Sequence, residues 1–164
     1  MIQLFRRKPP AERGAAAVEF ALLVPILLFL VMAIVDFGMW YGDSITIRHG
    51  TREAARAGAV NDFQPGCPGV DRAAKTACVA EKRSDIVGGD MWVKVVAEDG
   101  DWTEGNSLTV CALVEVTGTT GVTPLPNDRL VRSRAVSRIE VTDPSSDYTD
   151  PDPLPTGATW AWCT

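Results

Sequence analysis

The chain has 164 residues, 46% hydrophobic and 23% charged, and its 16 Lys plus Arg against 21 Asp plus Glu leave a net charge of −5. That length is one domain's worth and argues against a multidomain enzyme. An acidic chain with pI near 4.9 lacks the basic face of a nucleic-acid binder, and a single histidine, His49, argues against a multi-histidine metal site or a Ser-His-Asp hydrolase.

The apolar residues are concentrated at the start. Ala15 to Val35 reads AAAVEFALLVPILLFLVMAIV, with Glu19 as its only charge. A helix of that length spans about 31 Å, against a hydrocarbon core of about 30 Å. In lipid it must be helical to satisfy its backbone, and Pro25 inside it predicts a kink or local loosening. Arg6, Arg7, Lys8 and Arg13 precede it, opposed only by Glu12, whereas Asp36 and Asp43 follow it before the first cation, Arg48. The positive-inside rule therefore puts residues 1–14 in the cytoplasm and everything from about residue 40 outside. A cleaved secretory signal fits less well: the apolar run is too long, and bulky Asp36-Phe37-Gly38-Met39-Trp40 follows it where a small-x-small site belongs. Asp36 reads as solvated at the membrane interface, beside an aromatic belt of Trp40 and Tyr41.

Around the start of this run stand Arg13-Gly14-Ala15-Ala16-Ala17-Val18-Glu19-Phe20. A basic leader, a glycine, four small or apolar residues, then Glu and an aromatic resembles the processing site of type IV prepilins. The resemblance implies a cut by a prepilin peptidase between Gly14 and Ala15. Glu19 would then be the fifth residue of the mature chain, able to pair with the new amine of a neighbouring subunit. Without that context, Glu19 is close enough to the helix end to snorkel to the headgroups. The match continues through Asp36-Phe37-Gly38 and Thr51-Arg52-Glu53-Ala54-Ala55-Arg56-Ala57-Gly58-Ala59. Residues 13–60 together resemble the TadE-like family of tight-adherence pilus assembly proteins, which are minor pseudopilins. This implies pilin-like subunits and the assembly machinery as partners, alongside membrane lipid.

Beyond the membrane, residues 43–60 place Ile47, Thr51, Ala54, Ala55, Gly58 and Ala59 on one helical face and Arg48, Arg52, Glu53 and Arg56 on the other, with Asp43 or Ser44 as N-cap if the helix restarts there. The small face is expected to pack on the chain's own sheet, and lone His49 to be exposed. After a Gly/Pro break at residues 64–69 comes a short helix, Val70–Arg83. Three strands follow: Met91–Glu98, Ser107–Thr117 and Leu130–Val141. The second turns Leu108, Val110, Ala112, Val114 and Val116 one way, and Ser107, Thr109, Cys111, Glu115 and Thr117 mostly the other. The expected class is α+β, a long N-terminal transmembrane helix continuing into an extracytoplasmic helix packed on a small antiparallel sheet, which the pilin resemblance also implies.

The expected organisation is a cytoplasmic leader at 1–14, a transmembrane helix at 15–39, an outer helix at 40–62, an α+β domain at 63–142 and a tail at 143–164. The tail, with Pro144, Pro151, Pro153 and Pro155, is expected to be extended and solvated before a tied-down Trp160-Ala161-Trp162-Cys163 end. Cys67, Cys78, Cys111 and Cys163 all fall on the outer side, where disulfides suit an oxidising compartment. Three pairings are possible; Cys67–Cys78 and Cys111–Cys163 are favoured, bracketing the short helix and stapling the tail to the sheet. No GxGxxG, P-loop, HExxH or GxSxG occurs. Asp99, Asp101 and Glu104 form an incomplete calcium loop and read as a solvated turn. The expectation is therefore no catalysis, no cofactor or metal, and no small-molecule substrate. The competing reading is an uncleaved, single-pass, membrane-anchored binding module.

Overall fold

A computed structural model describes residues 10–63, 65–69, 71–86, 89–118, 120–121 and 124–164, with only the backbone described at 10–13. Most of the basic leader, including Arg6, Arg7 and Lys8, lies outside the described residues. The chain opens with α1, Pro10–Val60, 51 residues long and unbroken through Pro25; at about 1.5 Å per residue it extends about 77 Å. It does not restart at Asp43 or Ser44. The Ser44 hydroxyl instead donates to the Tyr41 carbonyl at 2.8 Å, as a mid-helix serine commonly does.

The outer half of α1 forms one layer with α2, Arg72–Ser84, over an antiparallel sheet of β1 (Gly89–Ala97), β2 (Ser107–Val116), β3 (Leu130–Arg138) and β4 (Tyr148–Thr149), in the order β3-β2-β1-β4. The two helices approach closely because glycine sits at the crossing. A Cβ on Gly50 would collide with Ser84 Oγ and stand 2.8 Å from the Ala80 carbonyl. The alternation expected in β2 is present: Leu108 and Val110 join Ala54, Ala55, Val93 and Val95 under the helices, and Ala112, Val114 and Val116 join Ile47 and Val131 nearer the membrane end.

Elements end where another element claims the backbone. β1 gives way at Glu98 to a 3₁₀ turn, Glu98–Gly100, and the Glu98 carboxylate accepts the Ser107 N–H at 3.2 Å. β3 stops at Arg138 rather than continuing to Val141, because the Glu140 N–H turns to the Ala59 carbonyl at the end of α1, 3.0 Å away.

The tail is extended, with none of residues 143–157 buried, and its Trp160–Cys163 end is tied down, as expected; what the sequence did not announce is that it adds a strand to the sheet. Its Tyr148–Thr149 pairs with Lys94 and Val95 as the fourth strand, held by Asp147, whose carboxylate accepts the Ala97 N–H at 3.0 Å and the Trp102 indole N–H at 3.3 Å. It then crosses to the face of the sheet away from the helices. There Leu154, Ala158, Trp160 and Trp162 pack on Trp92, Leu113 and Leu130. The open edge of β1 and the apolar outer face of the sheet would otherwise be uncovered, so the tail is ordered by the surfaces it completes. Disulfides join Cys67 to Cys78 and Cys111 to Cys163, the second across this outer face.

Candidate functional site

Among the described residues nothing buries the apolar window of α1. That 18-residue window has a mean hydropathy of 2.8 and is 0% buried. Thirteen large apolar side chains from Val18 to Val35 are exposed, Phe20 at 67% and Leu22 at 70%. Burial of such side chains is worth about 1.5–3 kcal/mol each, so leaving them about half wet costs on the order of 10–20 kcal/mol. That matches or exceeds the whole net stability of a typical domain, about 5–15 kcal/mol. A core helix would be covered by its own fold; this one needs an apolar surrounding from outside the chain.

The residues singled out for processing and assembly stand at the start of this bare helix. Gly14, Ala15, Glu19 and Phe20 are all exposed on one continuous helix, and a Cβ built on Gly14 meets nothing within 4 Å. The peptide after Gly14 and the Glu19 carboxylate are thus both open to approach by another protein.

At the other end of the apolar run the structure overturns one expectation. Asp36 is 1% exposed rather than solvated. Its carboxylate accepts the Thr120 backbone N–H at 3.1 Å and the Thr120 hydroxyl. The turn after β2 therefore reaches down to α1 and clasps it where the apolar run ends. A buried carboxylate needs such donors to offset its desolvation. Trp40 differs too: it is half-buried and packs on the sheet cluster of Val114, Val116 and Val131, while Tyr41 remains 60% exposed. Beside them lies an open groove of about 890 Å³, bordered by Trp40, Tyr41, Ile45 and Arg48 of α1, Arg132 of β3 and Leu154 of the tail.

The far end of α1 is closed by Arg72, buried at 3% exposure. Its guanidinium donates to the Gly58, Ala59 and Val141 carbonyls at 2.6, 2.7 and 2.7 Å and lies 5.5 Å from the Trp102 ring centre. Helix C-termini carry unpaired carbonyls and partial negative charge, and a buried planar cation with a fork of donors answers both. Burial lowers the Arg72 pKa, while the Asp143 carboxylate acts to raise it. One residue earlier, Asp71 precedes α2 and accepts the Ser145 hydroxyl and the Ser146 hydroxyl, the latter at 2.7 Å, from the tail. Burial pushes its carboxyl up, but these bonds and two backbone N–H groups together hold it below its ordinary value.

Sequence reasoning missed both Asp36 and Arg72. The signals were present: an acid directly ending an apolar run, and an arginine beginning a helix shortly after another ends. Asp99, Asp101 and Glu104 stand in an exposed turn, where Asp101 accepts the Thr103 hydroxyl at 3.0 Å, and among the described residues no group of three or more His, Cys, Asp or Glu is placed to hold a metal ion.

Residues 14–56 match the family model described as TadE-like protein. No curated protein matches the chain, and no solved structure matches it. The matched segment begins at Gly14 and spans the bare apolar helix, the Asp36 clasp and most of the part of α1 that packs on the sheet.

Proposed function

We propose that this chain, TadE-like over residues 14–56, is a minor pseudopilin that serves in assembly of a tight-adherence pilus. It is inserted with its leader in the cytoplasm and its sheet outside the membrane, and a prepilin peptidase removes the leader after Gly14. The observation that carries this reading is that the family match falls on a helix whose apolar window the rest of the described chain leaves bare. The protein's work in this reading is structural: α1 is held by lipid and by other pilin-like subunits, Glu19 meets a cation within the assembly, and the disulfide-bonded outer domain rides above. It performs no catalysis and uses no cofactor.

The test is the intact mass of the protein from membranes of cells with their own prepilin peptidase, beside a Gly14→Val variant. The expected result is a chain starting at Ala15 for the wild type and an uncut chain for the variant. A full-length wild-type chain would instead favour an uncleaved membrane-anchored binding module.

A further inference from the structure

The two edges of the sheet carry opposite charge at the same level. β3 forms one edge, and Arg132, Arg134 and Arg138 stand exposed on its side away from the helices, Arg132 at 6.0 Å from the Trp162 ring centre, with Val136 among them at 54% exposure. β4 forms the other edge, and Asp150 and Asp152 follow it directly, with Glu81 of α2 alongside. The closeness of these acids is felt: burial and the Asp150 charge raise the Glu81 carboxyl, and burial with Asp150, Glu81 and Asp152 raises the Tyr148 phenol. Strand register sets the level. Arg134 pairs with Cys111, Cys111 with Lys94, and Lys94 with Thr149, so Arg134 and Thr149 share one rung. Arg132 lies on the rung of Leu113 and Trp92, next to Val93, whose carbonyl accepts the Asp150 N–H at 3.0 Å.

The sheet's direction is equally constrained. Going up α1, Asp36 meets Thr120, Ile47 meets Val114, and Ala54 and Ala55 share a cluster with Val110 and Leu108. β2 therefore runs back along α1, and the strands lie roughly parallel to the helix. With the lower part of α1 in a membrane, both sheet edges face sideways, in the plane of that membrane.

The geometry points to a lateral contact between copies of this chain, in which the basic β3 edge of one copy docks against the acidic β4 edge of the next. Copies anchored in one membrane by parallel helices meet unlike edges when related by a translation and like edges when related by a two-fold axis. The two-fold arrangement sets arginines against arginines and is disfavoured. The translated arrangement places arginine forks opposite carboxylates at matching height. It leaves one free edge of each kind, so it extends as a row rather than closing as a dimer. Pro151 and Pro153 after β4 prevent a long shared strand, so side-chain charge and not continuous strand pairing holds the contact. The inference rests on the membrane anchoring of the reading above, but not on cleavage after Gly14.

The test uses the full chain, donor- and acceptor-labelled, in phosphatidylcholine vesicles at fixed protein-to-lipid ratio, with flotation reporting insertion separately. One variant carries Arg132→Glu and Arg134→Glu and has two acidic edges; the other carries Asp150→Lys and Asp152→Lys and has two basic edges. Wild-type energy transfer should fall at least tenfold in either variant alone and return when the two are mixed. Recovery on mixing also shows that neither variant is misfolded. Wild type that inserts but shows no transfer, a variant that associates alone like wild type, or a mixture that fails to recover would each overturn the contact. Failure to float with the vesicles would overturn the anchoring itself.

Discussion

Arg72 shows how one side chain can tie three segments together. Its donors hold two carbonyls of the last turn of α1 and one of the chain leaving β3, while its own backbone begins α2. Truncation to alanine leaves those carbonyls without a charged donor in a buried place, which costs about 2–4 kcal/mol. Arg72→Ala is expected to lower the melting temperature of the detergent-solubilised protein by several degrees, and Arg72→Lys to recover only part, since an ammonium lacks the planar fork. Asp71 gives a pH signature. Its folded pKa is depressed, so the unfolded state takes up a proton first as pH falls. The stabilisation is fully present above the ordinary carboxylate value of about 3.9 and is lost as pH falls through the lower folded value. Melting curves of wild type and Asp71→Asn should differ near neutral pH and converge at the acid end; a constant gap would refute the assignment.

Among the elements, the tail is the one whose structure depends most on its surroundings. Its two-residue β4 could not persist alone, and most of its apolar residues come only after its last proline, Pro155. It is held by Asp147 at β1, by Trp160 and Trp162 on the outer face, and by the Cys111–Cys163 bond across a sequence separation of 52. In the chain-entropy account, closing a loop of that length is worth about 4 kcal/mol, against about 3 kcal/mol for the separation of 11 between Cys67 and Cys78. Replacing Cys111 and Cys163 together by serine should therefore make the tail the first segment cut by protease and expose Trp92 to solvent, measured by limited proteolysis and tryptophan fluorescence. The Cys67/Cys78 pair of substitutions should leave the tail protected. Equal tail protection in both would count against the staple.

The molecule as a whole has an apolar helix that nothing among the described residues covers and a head with its own buried core. The head buries Leu108, Val110, Leu113 and Val114 to 0% exposure, whereas the apolar window of that helix is 0% buried. The Asp36–Thr120 clasp joins the two, so the head is set on α1 from the end of the apolar run upward and not hung on a flexible linker. A rigid coupling of this kind suits a subunit whose head orientation follows its helix. Within the proposed function, Glu19→Ala should leave membrane insertion unchanged, because the apolar run is intact, and should reduce recovery of the protein with assembled pili. The readouts are flotation and immunodetection in sheared pili. Undiminished recovery would remove Glu19 from assembly.

The local periodicities were legible in the sequence because each needs only near neighbours. Ile47, Thr51, Ala54, Ala55, Gly58 and Ala59 repeat with the helix and are buried, and Leu108 to Val116 alternate with the strand and are buried. The bare apolar run follows from composition alone. Residues whose surroundings are assembled from distant segments were not legible. Asp36 depends on Thr120, 84 residues on, and Arg72 on Val141, 69 residues on. The same holds for the pairing of the tail: polarity and proline mark it as extended and exposed, which it is, but do not show that Tyr148–Thr149 completes an edge of the sheet. Hydrophobic pattern determines which face of an element seeks cover. Only the tertiary structure decides what provides it, because a buried charge or an open strand edge is stabilised by whichever donor the whole fold brings within reach.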